Sequence, residues 1–281
     1  MKFLIKVNLS KDNSITVTRE VIRLFIEENY EYRLCKEPGI ENACPYRDVI
    51  IPFKEGLEWC DVIVTIGGDG TLLAIGKDAA KLSKPIVGIN AGRIGFLTAI
   101  EGNDVSLLSK LDDKSVFEIK KHNFIQARIN KGPWQYCLND VVLSKCMYSN
   151  TVDLSIFSNG EQLMRFSGDG IILATSTGST AYSLSVGGPI VDSDLQAMVI
   201  SPVAPHSLNR TSMVLAKNKH ISIKANDRNK NLATIAFDGT GYTEVGPEDT
   251  VEVKLSSKYV SIYTLRNQGQ FEKVDKKLKS R

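Results

Sequence analysis

The stretch from residue 61 to residue 90 constrains the fold most. DVIVTI is followed by the turn Gly67-Gly68-Asp69-Gly70-Thr71, then LLAIGKDAAKL, then PIVGIN. An unbroken β-branched run is how a strand buried on both faces reads. Two such strands joined through a helix-patterned segment pair in parallel, because parallel neighbours need a crossover of that length. Upstream, KFLIKVN reads as another strand. TVTREVIRLFIEEN carries apolar residues at helical spacing at Val17, Val21, Leu24 and Phe25. Strand and helix in alternation predict a doubly wound α/β domain built on a parallel sheet.

Around Glu101-Gly102-Asn103-Asp104 the texture changes. After the short helical piece SLLSKL the chain becomes a series of β runs: VFEIKKHNFIQARIN, WQYCLNDVVLS, TVDLSIF, EQLMRF, GIILAT, MVLA, HISIKA, LATIAF, VEVKLS and YVSIYTL. Asn159-Gly160 between two of them is a strong two-residue hairpin signal, since both turn positions need positive φ. A length of 281 residues allows two ordinary domains. The expected fold is therefore an α/β, doubly wound N-terminal domain over 1–100 and a mainly antiparallel β domain over 101–265, with the active site in the cleft between them. Residues 266–281 form a C-terminal tail, either a solvated end or a segment packed back on the N-terminal domain.

Composition narrows the function classes. The net charge is +3 and the basic residues are dispersed apart from VDKKLKSR, where no aromatic residue interleaves to stack bases. Nucleic acid is not an expected partner. The N-terminal MKFLIKVNLSKDN is broken by lysine, and no run reaches the roughly 18 apolar residues that a span requires; no membrane partner is expected. Five cysteines (35, 44, 60, 137 and 146) form no CxxC pair, which fits reduced thiols in the cytoplasm. The histidines at 122, 206 and 220 have no metal-binding spacing.

The glycine turn raises a chemical question, because a carboxylate sits where phosphate chemistry is expected. No Gly-Lys-Ser/Thr follows, so it is not a P-loop, and Leu73 stands where the dinucleotide fingerprint needs its third glycine. Its place between strand and helix still aims backbone N–H groups at a ligand above the sheet. Asp69 there can cap the helix, hold Mg²⁺ or take a proton from an attacking hydroxyl. INAGRIGFLTAI, residues 89–100, is a second glycine-rich loop after a buried strand, and ligands in open α/β sheets bind at that edge. In GDGIILATSTGSTAYSLSVGGPIV, residues 168–191, hydroxyls dominate: Thr175, Ser176, Thr177, Ser179, Thr180, Ser183 and Ser185. They predict a strand, a tight turn and a helix start with many short donors facing one polyhydroxyl or phosphorylated ligand. No GxSxG elbow accompanies them, which argues for binding and against acyl transfer. Leu138-Asn139-Asp140 interrupts a β run, as a bulge or as a ligand site. Phe237-Asp238-Gly239-Thr240-Gly241 reads as a hairpin turn.

Together these segments resemble the NAD kinases. The family pattern is GGDGT after a strand, then GxNxGxLGFL, then an asparagine–acid pair in a β run, then DGxxxxTxxGSTAYxxSxGGP. The chain carries GGDGT, GINAGRIGFLT, LNDVVL and DGIILATSTGSTAYSLSVGGPIV in that order, with PVAPHSLNRTSMVL and FDGTG continuing the match over roughly residues 1 to 265. GGDGT alone is less specific, since phosphofructokinases and diacylglycerol or sphingosine kinases have related loops.

The resemblance implies phosphoryl transfer from ATP or another phosphate donor to the 2′-hydroxyl of the adenosine ribose of NAD, giving NADP. It implies that Asp69 deprotonates that hydroxyl and that Gly67, Gly68, Gly70 and Thr71 line the phosphate path. Asn139 and Asp140 match the pair that holds the adenosine portion. Asp169, Thr180, Ala181, Tyr182 and Ser185 match positions that grip the nicotinamide-ribose side and the adenine, partly across a subunit boundary, and Ala204 matches a dinucleotide contact. A divalent cation, Mg²⁺, carried mainly by the substrate phosphates, is the implied cofactor, with no metal site of the protein's own. A homodimer or homotetramer is the implied assembly. Two positions depart from the pattern: Ala74 stands where many members carry a basic residue, and Arg93-Ile94 replaces the common x-Leu before Gly95. Two other readings use the same residues, a lipid kinase with a GGDGT loop and a dinucleotide sensor without catalysis. The hydroxyl-rich block argues against the first and the carboxylate of Asp69 against the second.

Overall fold

The computed structural model describes residues 1–92, 95–146, 151–206, 210–226 and 233–279. The chain divides into two compact units, Met1–Lys121 with Val260–Arg281, and His122–Tyr259. The first is α/β and the second mostly antiparallel sheet.

The first unit runs β1 (Lys2–Val7), α1 (Ser14–Glu27), β2 (Glu31–Cys35), β3 (Ile50–Ile51), α2 (Phe53–Trp59), β4 (Val62–Gly67), α3 (Asp69–Lys81), β5 (Ile86–Asn90) and β6 (Ile100–Glu101). Its sheet is parallel, in the order β5-β4-β1-β2-β3. All six residues of β4 and all five of β5 are buried, as a strand covered on both faces requires. Residues alternate between the faces of β1: Phe3 and Ile5 pack with Val17, Val21 and Phe25 of α1, and Leu4 lies against Gly56 of α2 on the opposite face. Helices on both faces are what make the sheet doubly wound. Phe3 and Phe25 stack with ring centroids 4.5 Å apart, and burying Phe25 contributes about 1.5–3 kcal/mol.

The second unit contains most of β7 (Phe117–Ile129), then β8 (Gln135–Cys137), β9 (Asp140–Lys145), β10 (Val152–Ser158), β11 (Glu161–Gly168), β12 (Gly170–Thr175), α4 (Tyr182–Ser185), β13 (Ala197–Val203), β14 (Met213–Ala216), β15 (His220–Ala225), β16 (Ala233–Phe237), β17 (Thr240–Val245) and the start of β18 (Thr250–Leu265). Six strands pair antiparallel in the order β14-β13-β12-β9-β16-β17, and β11-β10-β15-β18 pair antiparallel in the other sheet. Alternate residues of both sheets, among them Leu143, Leu173 and Ile235 on one and Ile156, Ile223 and Val253 on the other, fill a single core. This is sandwich packing. Asn159 and Gly160 both have positive φ (51 and 89) between paired Ser158 and Glu161, the expected hairpin. Beyond β18, the first unit ends in α5 (Gln270–Lys279), a helix whose Lys273 and Val274 are buried.

Candidate active site

In the first unit the two glycine-rich loops leave β4 and β5 side by side, because Gly67 and Asn90 are register partners and the Ala91 N–H donates to the Gly67 carbonyl at 2.8 Å. Gly68 is the residue before the first turn of α3, and no side chain caps that helix. Asp69 is already helical, and its carboxylate turns away to the second loop. Oδ2 accepts the Phe96 N–H at 2.8 Å and Oδ1 accepts the Leu97 N–H at 2.9 Å. The capping reading of Asp69 therefore falls: Gly68 holds the cap position, and the Asp69 carboxylate accepts from residues 96 and 97 instead of from its own helix. Gly95 makes the approach possible, since a Cβ there would lie 2.6 Å from Asp69 Oδ1. Arg93 and Ile94, the loop's departure from the family pattern, lie outside the described residues.

A cavity of about 260 Å³ lies at the head of α3, lined by Lys6, Asn8, Glu37, Gly70, Thr71 and Ala74 among others. Thr71 is buried, and its Oγ1 has no hydrogen-bond partner among the described residues. Ala74 leaves the cavity without a cation from α3, and Lys6, ion-paired to Glu37, faces the same space from the end of β1. Sequence reasoning missed Lys6, because a lone lysine in a strand carries no motif.

In the second unit Leu138 and Asn139 link β8 to β9, and Asp140 starts β9. Asp238 fixes this corner: its carboxylate accepts the N–H groups of Leu138 at 2.8 Å, Asn139 at 2.8 Å and Asp140 at 3.1 Å. Phe237–Gly241 is the expected hairpin, with positive φ at Asp238, Gly239 and Gly241, but its carboxylate has this second task that spacing did not reveal. Asp140 is buried, and burial together with the Asp238 charge pushes its carboxyl up to about 7, against a hydrogen bond from the Tyr182 N–H that favours the charged form.

The hydroxyl-rich block is used differently from the sequence expectation. Thr175, Ser176, Thr177, Ser179 and Ser183 are buried and bonded inside the protein. Thr175 Oγ1 donates to the Leu138 carbonyl at 2.6 Å, Thr177 Oγ1 meets His122 Nδ1 at 2.8 Å, Ser179 Oγ donates to the Ser176 carbonyl at 2.7 Å, and Ser183 Oγ meets Ser201 Oγ at 2.9 Å. These hydroxyls are spent inside the protein, where they hold the turn in shape. Left at the surface are Tyr182 and Ser185, with Thr180 and Ala181 half-buried.

The second-unit candidates fall into two groups. Asp140, which follows Asn139, pairs with Ala174 near the end of β12 and accepts from the Tyr182 N–H, in the stretch that carries Thr180, Ala181 and Ser185. Asp169 and Ala204 lie at the start of β12, where Gly170 pairs with Val203. The Asp169 N–H donates to the Val203 carbonyl at 2.9 Å, and its carboxylate is ion-paired with Lys145 at 2.8 Å. Ala204 has φ 43, a conformation that costs a non-glycine residue energy. Six residues of strand span about 20 Å, so these groups sit at opposite ends of β12.

The family model described as ATP-NAD kinase N-terminal domain matches residues 3–111, and the one described as ATP-NAD kinase C-terminal domain matches residues 138–265. An NAD kinase of Caldicellulosiruptor bescii is 33% identical over 274 residues, 97% of each chain. In fold, the chain is similar to a yeast NADH kinase complexed with NADH (TM-score 0.84, 21% identity, covering 99% of this chain and 87% of that one). It is similar also to an NAD kinase from Archaeoglobus fulgidus in complex with ATP (TM-score 0.76, 24% identity, covering all of both). Two models matched in order across most of its length place this chain in the NAD kinase family.

Proposed function

We propose that the chain transfers the γ-phosphoryl group of ATP to the 2′-hydroxyl of the adenosine ribose of NAD, giving NADP and ADP, with Asp69 as proton acceptor. The carrying observation is the Asp69 carboxylate, fixed by the N–H groups of Phe96 and Leu97 at the head of a helix that borders a cavity. Each oxygen keeps a lone pair, so the group can accept the ribose O–H proton as the oxygen–phosphorus bond forms and the bond to the ADP oxygen breaks. Gly67, Gly68, Gly70 and Thr71 line the phosphate path in this reading, and the Thr71 hydroxyl is available as a donor to phosphate.

Asn139 and Asp140 hold the adenosine portion of NAD, beside Thr180, Ala181, Tyr182 and Ser185. Asp169 and Ala204, at the far end of β12, serve a second site in a homodimer or homotetramer; the separation of the two groups supports this sharing. Light scattering at multiples of the 31.0 kDa chain tests the assembly. The charge on the ATP phosphates is offset by a divalent cation, Mg²⁺ in this reading. The buried thiols Cys35, Cys44 and Cys60 support a cytoplasmic setting. Among the described residues no helix is long and apolar enough to cross a membrane.

Incubation with ATP, Mg²⁺ and NAD, coupled to an NADP-specific dehydrogenase, tests the reaction. A folded protein that forms no NADP overturns it. Asp69→Asn is expected to bind NAD within a few-fold of wild type and to lose most turnover; normal turnover would reject Asp69 as the proton acceptor.

A further inference from the structure

The last helix, α5, lies beyond residue 265, where the matched family models end. At its surface Glu272 pairs with Lys276 and Asp275 with Lys279, i,i+4 ion pairs as in any solvated helix. Lys273 does the reverse. Its side chain is turned into the first unit, the residue is only 7% exposed, and Nζ donates to the Thr98 carbonyl at 2.9 Å. A buried ammonium costs several kcal/mol unless negative groups surround it. Burial pulls the Lys273 ammonium below the usual lysine range, and the charges of Asp69 and Glu101 act against that pull, so Asp69 is one of the groups that make this cation tolerable.

The Thr98 carbonyl belongs to the segment that presents N–H groups to Asp69. Phe96 and Leu97 donate to the two carboxylate oxygens, and the next residue but one from Phe96 accepts from Lys273. The Ala99 N–H then ties the segment to the Gly88 carbonyl of β5 at 2.9 Å. Without Lys273 the buried Thr98 carbonyl loses this bond, and a segment freer to turn its peptide planes would misaim the donors that fix the carboxylate.

We propose that Lys273 of the C-terminal helix is a positioning residue for phosphoryl transfer, holding the 96–98 backbone in the geometry that orients Asp69. The inference rests on the reading of Asp69 as the proton acceptor. A fixed base affects the chemical step more than the binding of either substrate, and small misplacements are costly in rate.

The test compares wild type with Lys273→Met, which keeps the methylene packing without the donor, and Lys273→Arg, which keeps a donor. Expected for Lys273→Met are a kcat lower by about tenfold or more with KM for NAD and for ATP within about twofold. Its Phe96 and Leu97 amide exchange should be faster while β4 exchange is unchanged. Lys273→Arg should recover most of the kcat. A Lys273→Met protein with wild-type kcat and protected 96–97 amides overturns the proposal. So does an equal kcat loss in both variants that follows a lowered melting temperature, which marks a merely structural lysine. If the wild type itself forms no NADP, the functional reading fails, and the amide exchange alone decides whether Lys273 holds the segment.

Discussion

The Asp238 carboxylate accepts the backbone N–H of Asn139 at 2.8 Å, a bond that joins positions 99 residues apart. The same carboxylate takes the N–H groups on either side, so one side chain satisfies three consecutive donors where β8 gives way to β9. Hydrogen bonds to an ionised acceptor are worth about 1.5–3 kcal/mol each. Asp238→Ala is expected to lower stability by about 2–4 kcal/mol in denaturant unfolding. It should also raise KM for NAD by about tenfold, because Asn139 loses its anchor, while KM for ATP stays unchanged.

Burial, with the charge of Asp238 added to it, makes Asp140 titrate high. Its carboxyl is held at about 7 in the folded protein, first by burial and then by the Asp238 charge, against the ordinary aspartate value of 3.8. The folded state thus binds a proton that the unfolded state has released between about pH 4 and pH 7, so stability falls as pH rises through that window. Above pH 7 the whole penalty applies, and below pH 4 none of it does. Asp140→Asn removes the charge. It should melt higher than wild type at pH 8, by an amount on the order of 2–4 kcal/mol in stability, and the gain should vanish near pH 4. Melting curves of both proteins across pH 4–8 check this. The same variant should lose NAD affinity, a stability gain at the expense of the ligand.

What could be read in the sequence was local. The β-branched runs of β4 and β5, the glycines between strand and helix, and Asn159-Gly160 each act through their immediate neighbours, and they place the two loops at one edge of a parallel sheet. What could not be read was direction and distance. Serines and threonines at 175–183 announce hydrogen-bonding capacity but not where it points, and most of it points inward. Asp238 and Lys273 act on backbone far away in the chain, which no spacing encodes. Strand β17 exposes five of its six residues and so has no alternation to detect.

Lys6 supplies the next expectation. Position 74 holds an alanine where many family members have a basic residue, and Lys6 faces the same cavity. Lys6→Met should raise KM for ATP by about tenfold, a loss of roughly 1.4 kcal/mol of phosphate attraction, with KM for NAD unchanged. Adding Ala74→Lys to Lys6→Met should restore much of the ATP affinity, because the new ammonium enters the same space. A double variant no better than Lys6→Met would show that the cavity does not hold the phosphates.

Gly70 separates what the fold needs from what a ligand needs. A Cβ built on Gly67 meets Thr71 Oγ1 and Asn8 Cβ at or inside contact distance, so the protein itself demands glycine there. A Cβ built on Gly70 meets nothing within 4 Å. Gly70 is also in the first turn of α3, where glycine is less favourable than alanine by up to about 0.8–1 kcal/mol, the helix-interior figure. Gly70→Ala should therefore raise the stability of the free protein by up to that amount. If phosphates pass over this backbone, the same methyl group occupies their path, and KM for ATP should rise by about tenfold or more while the protein melts higher. A variant more stable and equally active would remove Gly70 from the phosphate path. The opposite movement of stability and ATP affinity would show that the glycine answers to the substrate and not to the fold.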